Sequence, residues 1–478
     1  MTTVDHLLYT VPPGELPFHQ GIRDAVRFDH NDNDVAQRHR FRSRLSESMP
    51  PDVDRECDVT SALTLPQSSP LASSWPETPP GADPLPGQLD RWLAARGAEL
   101  VAVRRHIHAH PELSHHEFET AALVARELAV AGLSPRFLPK GNGVICDIGE
   151  GDRVIALRAD LDALPLPDIK DVPYRSTVDG VAHACGHDVH TTVLLGVGLA
   201  LAQLRDHDEL PGRVRLIFQP AEEQVPSGSP EVIAAGGLKD VAAIFALHCA
   251  PQFPVGLVGV RSGPFTAAAD TVEVRLTGQG GHTARPHLTA DLVHALGRVV
   301  VDVPSLLDRR VDPRAGVSMV WGVVHAGEAY NAIPIEGYVK GTVRVLNREA
   351  WREAPELVTQ LIKDVVAGTG AKAEVKYNRG VPPVVNDRLA TAIIAGAAGA
   401  ALGADRVVEA EISMGGEDFA FYLDHVPGAM IRLGTGIPGS DIRMDIHQSG
   451  FDVDERAIGY GVRVMVHTAL GALAAGAF

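Results

Sequence analysis

The chain has 478 residues, 45% of them hydrophobic and 22% charged, and its formal net charge is −17. A chain of this length typically forms two or three domains, and a strongly negative charge argues against nucleic acid or an anionic membrane as the main partner. Its four cysteines do not indicate a disulfide framework, so we expect a reducing, cytoplasmic setting. The polar N-terminus lacks the apolar core of a signal peptide, and no uninterrupted apolar run reaches about 18 residues, so we predict no membrane-spanning helix.

Residues 1–86 differ from the rest of the chain in composition. Proline recurs there between serine, aspartate and arginine, and no helical or strand period lasts. This pattern predicts a disordered N-terminal extension. Helical spacing begins near Leu89 and continues over 89–109, and a second amphipathic helix is predicted over 117–132, with Gly132 at its C-terminal end.

Three short apolar runs come next and alternate with helical segments, which is typical of an α/β sheet. Each run leads into acidic residues or a histidine: Asp160 after 154–157, Glu222 and Glu223 after 214–218, and His248 after 241–247. Ligand sites of open α/β sheets lie beyond the carboxyl ends of the strands. The sequence therefore predicts a site at that edge of the sheet.

The pattern changes after residue 266. Alternation typical of strands and helical spacing follow one another: a strand at 270–276, a helix at about 289–303, strands at 316–325 and 335–346, and a helix at 348–367. We predict a separate, smaller α+β domain over 267–378. It would be inserted into a first domain formed by 87–266 and 379–478, since exposed sites tolerate insertions well.

Residues 183–190 place one cysteine and three histidines in a short loop at the start of a predicted helix. Zinc-like cations take sulfur and nitrogen ligands, so Cys185 and His187 can bind one metal ion together. A buried, inert cysteine and a histidine that caps the helix are the alternative. We interpret His190, three residues further on, as a side chain that supports a ligand rather than one that binds the metal.

Glu222 and Glu223 form a pair of carboxylates after a predicted strand. Neighbouring residues of an extended segment point in opposite directions, so one carboxylate can bind a metal ion while the other faces a substrate as a base. A solvated pair in a loop is the alternative. His248 and His447 are further candidate ligands, although a lone histidine can equally be a buried core residue.

Seven short motifs occur in order between residues 90 and 475. They are LRADLDALP at 157–165, HACGHDVH at 183–190, FQPAEE at 218–223, GGH at 280–282, NAIP at 331–334, GTVR at 341–344 and MGGEDF at 414–419. Together these motifs are specific, and the chain resembles the amidohydrolase branch of the aminoacylase/carboxypeptidase metallopeptidases. Bacterial hippurate hydrolases, N-acyl-amino-acid amidohydrolases and plant auxin-conjugate hydrolases belong to that branch.

The resemblance implies an α/β fold: a di-metal catalytic domain with a mixed, mostly parallel sheet flanked by helices, and an inserted, smaller α+β lid domain that often dimerises. The metal ligands that it implies are Cys185, His187, Glu223, His248 and His447. The other matched roles are the general base at Glu222, a lid histidine at His282 that reaches the reacting carbonyl, commonly from the partner subunit, the substrate-carboxylate end at Asn331 and Arg344, and an orienting aspartate at Asp160. Arg158 stands where the wider clan has a ligand histidine, a departure expected of this branch.

The implied activity is metal-dependent hydrolysis of the amide bond of N-acyl-amino acids. The resemblance implies two divalent metal ions per subunit, with Glu222 as the base that deprotonates the activated water. Zinc, manganese, cobalt and nickel all suit a donor set of cysteine and histidine. The implied partners are a small N-acyl-amino acid or related amide and a second copy of the chain, bound through the lid domain.

Two other interpretations stay open at this stage. A dipeptidase or deacetylase of the same clan would use the same fold, although a dipeptidase more usually carries aspartate where Cys185 lies. A binding or regulatory protein could have kept the fold and lost catalysis. Such a relic would be free to lose a ligand or the base, and none is missing from this sequence.

Overall fold

The computed structural model describes residues 84–205, 210–439, 444–476 and 478. Residues 1–83 of the predicted N-terminal extension, 1–86, lie outside the described residues. The first described helix begins at Pro84. The second helix ends where it was predicted to end, since Gly132 follows it with a positive φ of 75°.

Eight α-helices lie within the described residues: α1 Pro84–Ala109, α2 Phe118–Val130, α3 His187–Arg205, α4 Ser229–Ala234, α5 Leu292–Arg310, α6 Arg348–Ala367, α7 Arg388–Leu402 and α8 Arg456–Ala475. The same part of the chain forms sixteen strands: β1 Arg136–Phe137, β2 Val144–Ile148, β3 Val154–Asp160, β4 Arg213–Gln219, β5 Val241–Pro254, β6 Val258–Val260, β7 Gly263–Thr266, β8 Ala269–Thr277, β9 Gly281–His282, β10 Val317–Ala326, β11 Ala332–Ile333, β12 Glu336–Val345, β13 Lys372–Val381, β14 Val384–Asn386, β15 Val407–Glu409 and β16 Gly428–Gly436. Short 3-10 helices cover Pro286–Leu288, Pro313–Ala315, Ala404–Arg406 and Asp418–Asp424.

The larger sheet has eight strands in the order β1-β2-β4-β3-β5-β16-β6-β15. Its four central strands, β4, β3, β5 and β16, are parallel. Strands β1 and β2 extend one side in antiparallel pairing, and β6 joins the other side antiparallel to β16. The predicted mixed, mostly parallel sheet is thus confirmed. Because parallel strands share one direction, their carboxyl ends meet at a single edge.

Both faces of this sheet are covered. All seven residues of β3 are buried, as expected for a strand that lies between two layers. Leu157 of β3 packs in one core with Val193 of α3 and Val462 of α8. The preceding residue, Ala156, points to the opposite face and belongs to a second core.

Helix α8 is, among the described helices, the one that is long and apolar enough to cross a membrane by length and composition. In this fold 72% of its apolar window is buried, and the helix packs against α3 and α7. Arg463 lies on its buried side and pairs with Asp90 of α1. These are the features of a core helix in a folded domain.

A second sheet has four antiparallel strands in the order β10-β12-β8-β13. It shares a separate core with α5 and α6, in which Leu296 of α5 and Val358 of α6 meet Val274 of β8. The chain enters and leaves this part side by side, since β7 pairs with β14. We call the four-stranded sheet with α5 and α6 the lid domain. The predicted fold class is confirmed, whereas the limits of 267–378 stay a prediction.

Most elements of the lid domain agree with their predicted positions. Helix α6 has the predicted bounds, and α5 continues through Pro304 to Arg310 instead of ending near residue 303. Strand β13 has no counterpart among the predicted elements. It lies at the edge of the sheet, and most of its residues are exposed or half-buried, so no apolar run marks it.

Candidate metal centre

The carboxyl ends of the parallel strands bring the predicted polar residues together. The side chains that meet there come from different elements: Asp160 from the end of β3, Glu222 and Glu223 from the loop after β4, His248 from β5, Cys185 from the loop before α3 and His187 from the first turn of α3. The order of the strands, rather than proximity in sequence, assembles this cluster.

Two groups of three metal donors share Cys185. The donor atoms of Cys185, His187 and His248 lie within 4.8 Å of one another, and so do those of Cys185, Glu223 and His447. Cys185 Sγ lies 3.5 Å from His248 Nε2, and His447 Nε2 lies 3.1 Å from Glu223 Oε1. The structure therefore brings all five predicted ligands to one place.

Two of these histidines are oriented by main-chain carbonyl groups. His187 Nδ1 lies 2.8 Å from the Asp162 carbonyl oxygen, and His248 Nδ1 lies 2.8 Å from the Cys249 carbonyl oxygen. Because a carbonyl oxygen can only accept, each Nδ1 carries a proton and each Nε2 stays available. His187 Nε2 is buried and has no hydrogen-bond partner in the described part of the chain. An available imidazole nitrogen beside a thiol fits a zinc-like divalent ion.

The pocket around these donors carries an excess of negative charge. Burial lowers the pKa of His187, but Asp160, Asp162 and Glu223 outweigh this effect and raise it to about 10. In the absence of another cation, the Nε2 atom of His187 would therefore hold a proton. A divalent ion can replace that proton, because metal and proton compete for the same lone pair.

Asp160 holds His190 in place and completes neither group of donors. Its Oδ1 atom lies 2.6 Å from His190 Nδ1, and His190 Nε2 accepts the main-chain N–H of Cys249 at 2.8 Å. Asp160, His187 and His190 also lie within 4.8 Å of one another, but both nitrogens of His190 are already hydrogen-bonded. Asp160 Oδ2 accepts a hydrogen bond from Arg158 at 2.6 Å, which links the centre to a buried arginine.

Arg158 takes the position at which the clan that this chain resembles has a ligand histidine. Its side chain is enclosed by other protein groups. It donates to Asp160 and Asp418, both at 2.6 Å, and to Gln219 at 2.8 Å. Burial lowers the pKa of Arg158, but Glu417 and the two aspartates outweigh this effect and hold it well above its usual value. A guanidinium cannot bind a metal ion, so Arg158 balances buried acids instead.

Glu222 lies between the metal donors and a second group of carboxylates. Its carboxylate lies within 4.8 Å of those of Glu417 and Asp418, and it also forms a group of that size with His187 and Glu223. Burial, followed by repulsion from Glu417 and Glu223, raises the pKa of Glu222 well above its usual value. A carboxylate with a raised proton affinity suits a proton acceptor that works near neutral pH.

Asp162 and Glu117 hold the loop that carries both glutamates, and sequence reasoning gave neither residue a role. Asp162 accepts the main-chain N–H of Glu222 at 3.1 Å and that of Glu223 at 3.0 Å. Glu117 accepts the N–H of Ala221 at 2.7 Å, where the chain takes a positive φ of 52°. The motif at 157–165 contains Asp162 and could have pointed to it. Glu117 has no such local signal.

The three predicted lid residues lie outside the donor groups. His282 is exposed and pairs with Ala332 in the small β9–β11 sheet, next to the exposed Asn331. Arg344 lies half-buried on β12, and a Cβ atom built on Gly416 would lie 4.0 Å from its Nη1 atom. Arg344 thus approaches the loop that contains Gly416, whereas His282 belongs to no donor group within the described residues.

Known proteins are similar to this chain in sequence and in fold. The model of peptidase family M20/M25/M40 matches residues 156–471. A protein of Rhodococcus jostii (strain RHA1), named as a candidate glutamate–cysteine ligase 2-3, is 49% identical over 77% of this chain, which spans only 46% of that longer protein. The N-acetyl-L-cysteine deacetylase of Bacillus subtilis (strain 168) is 38% identical over 77% of this chain and 86% of its own length. The crystal structure of Bacillus subtilis YxeP, described as a dinuclear metal-binding peptidase from the M20 family, matches with a TM-score of 0.69 and 36% identity over 80% of this chain and 99% of its own. This chain therefore belongs to peptidase family M20/M25/M40.

The turn at Gly186 gives a first test of how the donors are held. Gly186 has a positive φ of 90°, and a Cβ atom there would lie 2.7 Å from Cys249 Sγ. Gly186→Ala adds both strain and a clash, so we expect it to lower the free energy of unfolding by about 1–3 kcal/mol and to displace Cys185 and His187. The purified variant should contain less divalent metal than the wild type by elemental analysis, with stability followed by thermal unfolding.

Gly236→Ala is the matched control for this experiment. Gly236 also has a positive φ, 79°, but a Cβ atom there would meet nothing within 4 Å. This variant should lose some stability and keep its metal. Equal metal content in the two variants would show that the turn at Gly186 does not position the donors.

Proposed function

We propose that this protein hydrolyses the amide bond of N-acyl-amino acids, with two divalent metal ions and Glu222 as the base. The observation that carries this proposal is a half-buried carboxylate of raised pKa, Glu222, beside two donor groups that share Cys185. A metal pair with an adjacent base is an arrangement that makes hydroxide available at neutral pH. The deacetylase named above supports an amide as the substrate.

The five predicted ligands would divide between two ions. Cys185, His187 and His248 would hold one ion, and Cys185, Glu223 and His447 the other. When bound, such a pair lowers the pKa of a water molecule and polarises a carbonyl oxygen. Zinc, manganese, cobalt or nickel would suit these sulfur, nitrogen and oxygen donors. A thiol ligand must stay reduced, which supports a cytoplasmic setting.

Glu222 would carry the proton during the reaction. Its carboxylate accepts the proton of the attacking water and then donates it to the leaving amine. Glu417 and Asp418 favour the protonated form of Glu222 by like-charge repulsion. The hydrogen bond from the Glu222 N–H to Asp162 holds the main chain at this position.

Lid residues would bind and polarise the substrate. Arg344 and Asn331 can donate hydrogen bonds to its α-carboxylate, and His282 can stabilise the oxyanion that forms on the reacting carbonyl.

The ligase activity in the name of the Rhodococcus relative is not assigned to this chain, because the match covers only 46% of that protein.

No observation favours a dipeptidase or a catalytically inactive relic. The described residues retain every predicted ligand and the predicted base in one cluster. A panel of N-acyl-amino acids and dipeptides, assayed with added metal ions and with a chelator control, tests the proposed function. Cleavage of dipeptides alone, or of no compound in the panel, would reject it.

Glu222→Gln tests the role of the base. The change keeps the size of the side chain and removes its charge, so kcat for an N-acetyl-amino acid should fall by roughly 10²–10⁴-fold. Metal content should match the wild type, because neither donor group that contains Cys185 includes Glu222. Glu231→Gln is the control, since Glu231 pairs with Lys140 and belongs to no group of metal donors among the described residues. Turnover of Glu222→Gln near the wild-type rate would rule out this role.

The sharing of Cys185 predicts the metal stoichiometry of two variants. His447→Ala removes a donor from one group, whereas Cys185→Ala removes a donor from both. We expect about two bound ions per subunit in the wild type, about one in His447→Ala and fewer than one in Cys185→Ala, because protein sites rarely hold zinc with two ligands. Elemental analysis measures these ratios. Cys249→Ala, a buried thiol outside both groups, should keep about two ions; if Cys185→Ala also does, the thiolate is not shared.

We further propose that two copies of the chain form a homodimer through the lid domain. Strand β10 is an edge strand of the lid sheet, and its side chains Val320, Val323 and Val324 are 60%, 44% and 56% exposed. An edge strand with exposed apolar side chains is a ready surface for pairing. His282, which lies outside the donor groups of its own chain, would then complete the site of the partner.

Mixing two inactive variants tests this arrangement. If His282 acts across the interface, a dimer of His282→Ala with Glu222→Gln has one intact site, and if it acts within its own chain, that dimer has none. Random pairing after co-expression should therefore restore about a quarter of the wild-type activity. Light scattering measures the oligomeric state, and Val320→Lys should shift it towards monomer. A monomeric wild type, or no recovered activity in the mixture, would contradict the proposal.

A further inference from the structure

Arg432 lies on β16, in the larger sheet, and has no part in the mechanism above. In the parallel pairing of β16 with β5 it lies opposite His248. Residues opposite each other in paired strands direct their side chains to the same face of the sheet. Arg432 therefore shares a face with one of the candidate metal ligands.

The surroundings of Arg432 are acidic and aromatic. The nearby carboxylate of Glu417 attracts its positive charge. The guanidinium carbon lies 4.8 Å from the centre of the Phe265 ring, an arrangement in which the ring face attracts a cation. The guanidinium thus lies near both the proposed metal donors and the carboxylates beside Glu222.

Arg158, which lies two strands away in the same sheet, has hydrogen-bond partners that the side chain of Arg432 lacks. Arg158 donates hydrogen bonds to two aspartates and a glutamine. The guanidinium of Arg432 makes no hydrogen bond or ion pair with any residue in the described part of the chain. Burial lowers the pKa of Arg432, whereas neighbouring acids hold that of Arg158 well above its usual value.

A partly buried guanidinium without an anion is costly, because it has lost water and gained no hydrogen bond in return. Its planar fork of N–H donors matches a carboxylate, to which it can donate two parallel hydrogen bonds. The site already has a candidate for the α-carboxylate of the substrate, since Arg344 reaches the neighbourhood of Gly416 from the lid domain. Arg432 lies in the sheet on the other side of the site, where the charge of Glu417, in the same loop as Gly416, attracts its guanidinium.

We propose that Arg432 binds a second carboxylate of the substrate, so that the enzyme prefers N-acyl-amino acids with one carboxylate more than the α-carboxylate. This inference rests on the proposed function and narrows its substrate class. The additional carboxylate can belong to the acyl group, as in an N-succinyl-amino acid, or to the amino-acid side chain, as in an N-acylglutamate. A role confined to balancing the charges of Cys185 and Glu417 is the competing explanation.

Three substrates separate these cases: N-acetyl-L-alanine, N-succinyl-L-alanine and N-acetyl-L-glutamate. The metal-loaded wild type should have a higher kcat/KM for at least one of the two dicarboxylates than for N-acetyl-L-alanine. Arg432→Gln should lower kcat/KM for that dicarboxylate by roughly 10- to 100-fold, the usual effect of removing a charged hydrogen bond, and change the N-acetyl-L-alanine value by less than about 3-fold. Arg432→Lys should keep part of the preference. Arg406→Gln, an exposed arginine next to the edge strand β15, should resemble the wild type.

A binding experiment gives a readout that does not depend on turnover. The product of the preferred dicarboxylate, succinate or L-glutamate, should raise the thermal unfolding temperature of the wild type more than acetate or L-alanine does. Arg432→Gln should lose this difference while its metal content stays unchanged. Equal losses of kcat/KM on all three substrates, or no preference for a dicarboxylate in the wild type, would overturn the inference and leave the proposed function intact. A wild type that cleaves none of the three would reject the proposed function instead, and the thermal shift would still decide the role of Arg432.

Discussion

The Cys185 thiol belongs to both groups of donors, and the geometry of the site depends on the turn that holds it. Gly186 takes a φ of 90°, which lets Cys185 and His187 face one pocket across a single residue. Burial raises the pKa of the Cys185 thiol well above its usual value, and Glu223 and Glu222 raise it further. The thiolate that a metal needs is therefore unstable there by itself, and a divalent cation reverses that balance. Metal binding at the proposed centre would therefore also ionise the thiol, because the acids that oppose the thiolate attract the ion.

Arg158 explains how Asp160 is held beside the metal donors. Where the resembling clan has a ligand histidine, this chain has a guanidinium, which cannot bind a metal and instead holds Asp160 and Asp418. Asp160 thereby turns one oxygen to Arg158 and the other to His190. Cys185 lies where one sulfur atom can serve both groups of donors.

The sequence predicts the strand ends better than it predicts how the strands pair. Asp160, Glu222 and His248 could be found because each interrupts or follows an apolar run, and the carboxyl edge of a parallel sheet collects such residues. Strand β13 was missed because a half-exposed edge strand has no apolar run to mark it. Arg432 carries no signal either, since one arginine in an apolar segment is equally typical of an exposed position. The position of Arg432 beside the metal donors becomes visible only when β16 pairs with β5. Long-range pairing of this kind is not encoded in a local sequence pattern.

Hydrogen bonds stabilise the lid domain at the point where the chain enters and leaves it. The buried carboxylate of Asp270, on the first lid strand, accepts hydrogen bonds from Trp351 of α6 at 2.9 Å and from Tyr377 of β13 at 2.8 Å, and from the N–H of Gly380 at 2.9 Å. A buried carboxylate that accepts three hydrogen bonds is well satisfied, so the part of the lid domain next to the larger sheet resists deformation. The connection to the larger sheet consists of two adjacent crossings beside the paired strands β7 and β14. Because Arg344 lies on the lid and the metal donors lie on the larger sheet, a closing movement that brings substrate and donors together would have to take place in these crossings.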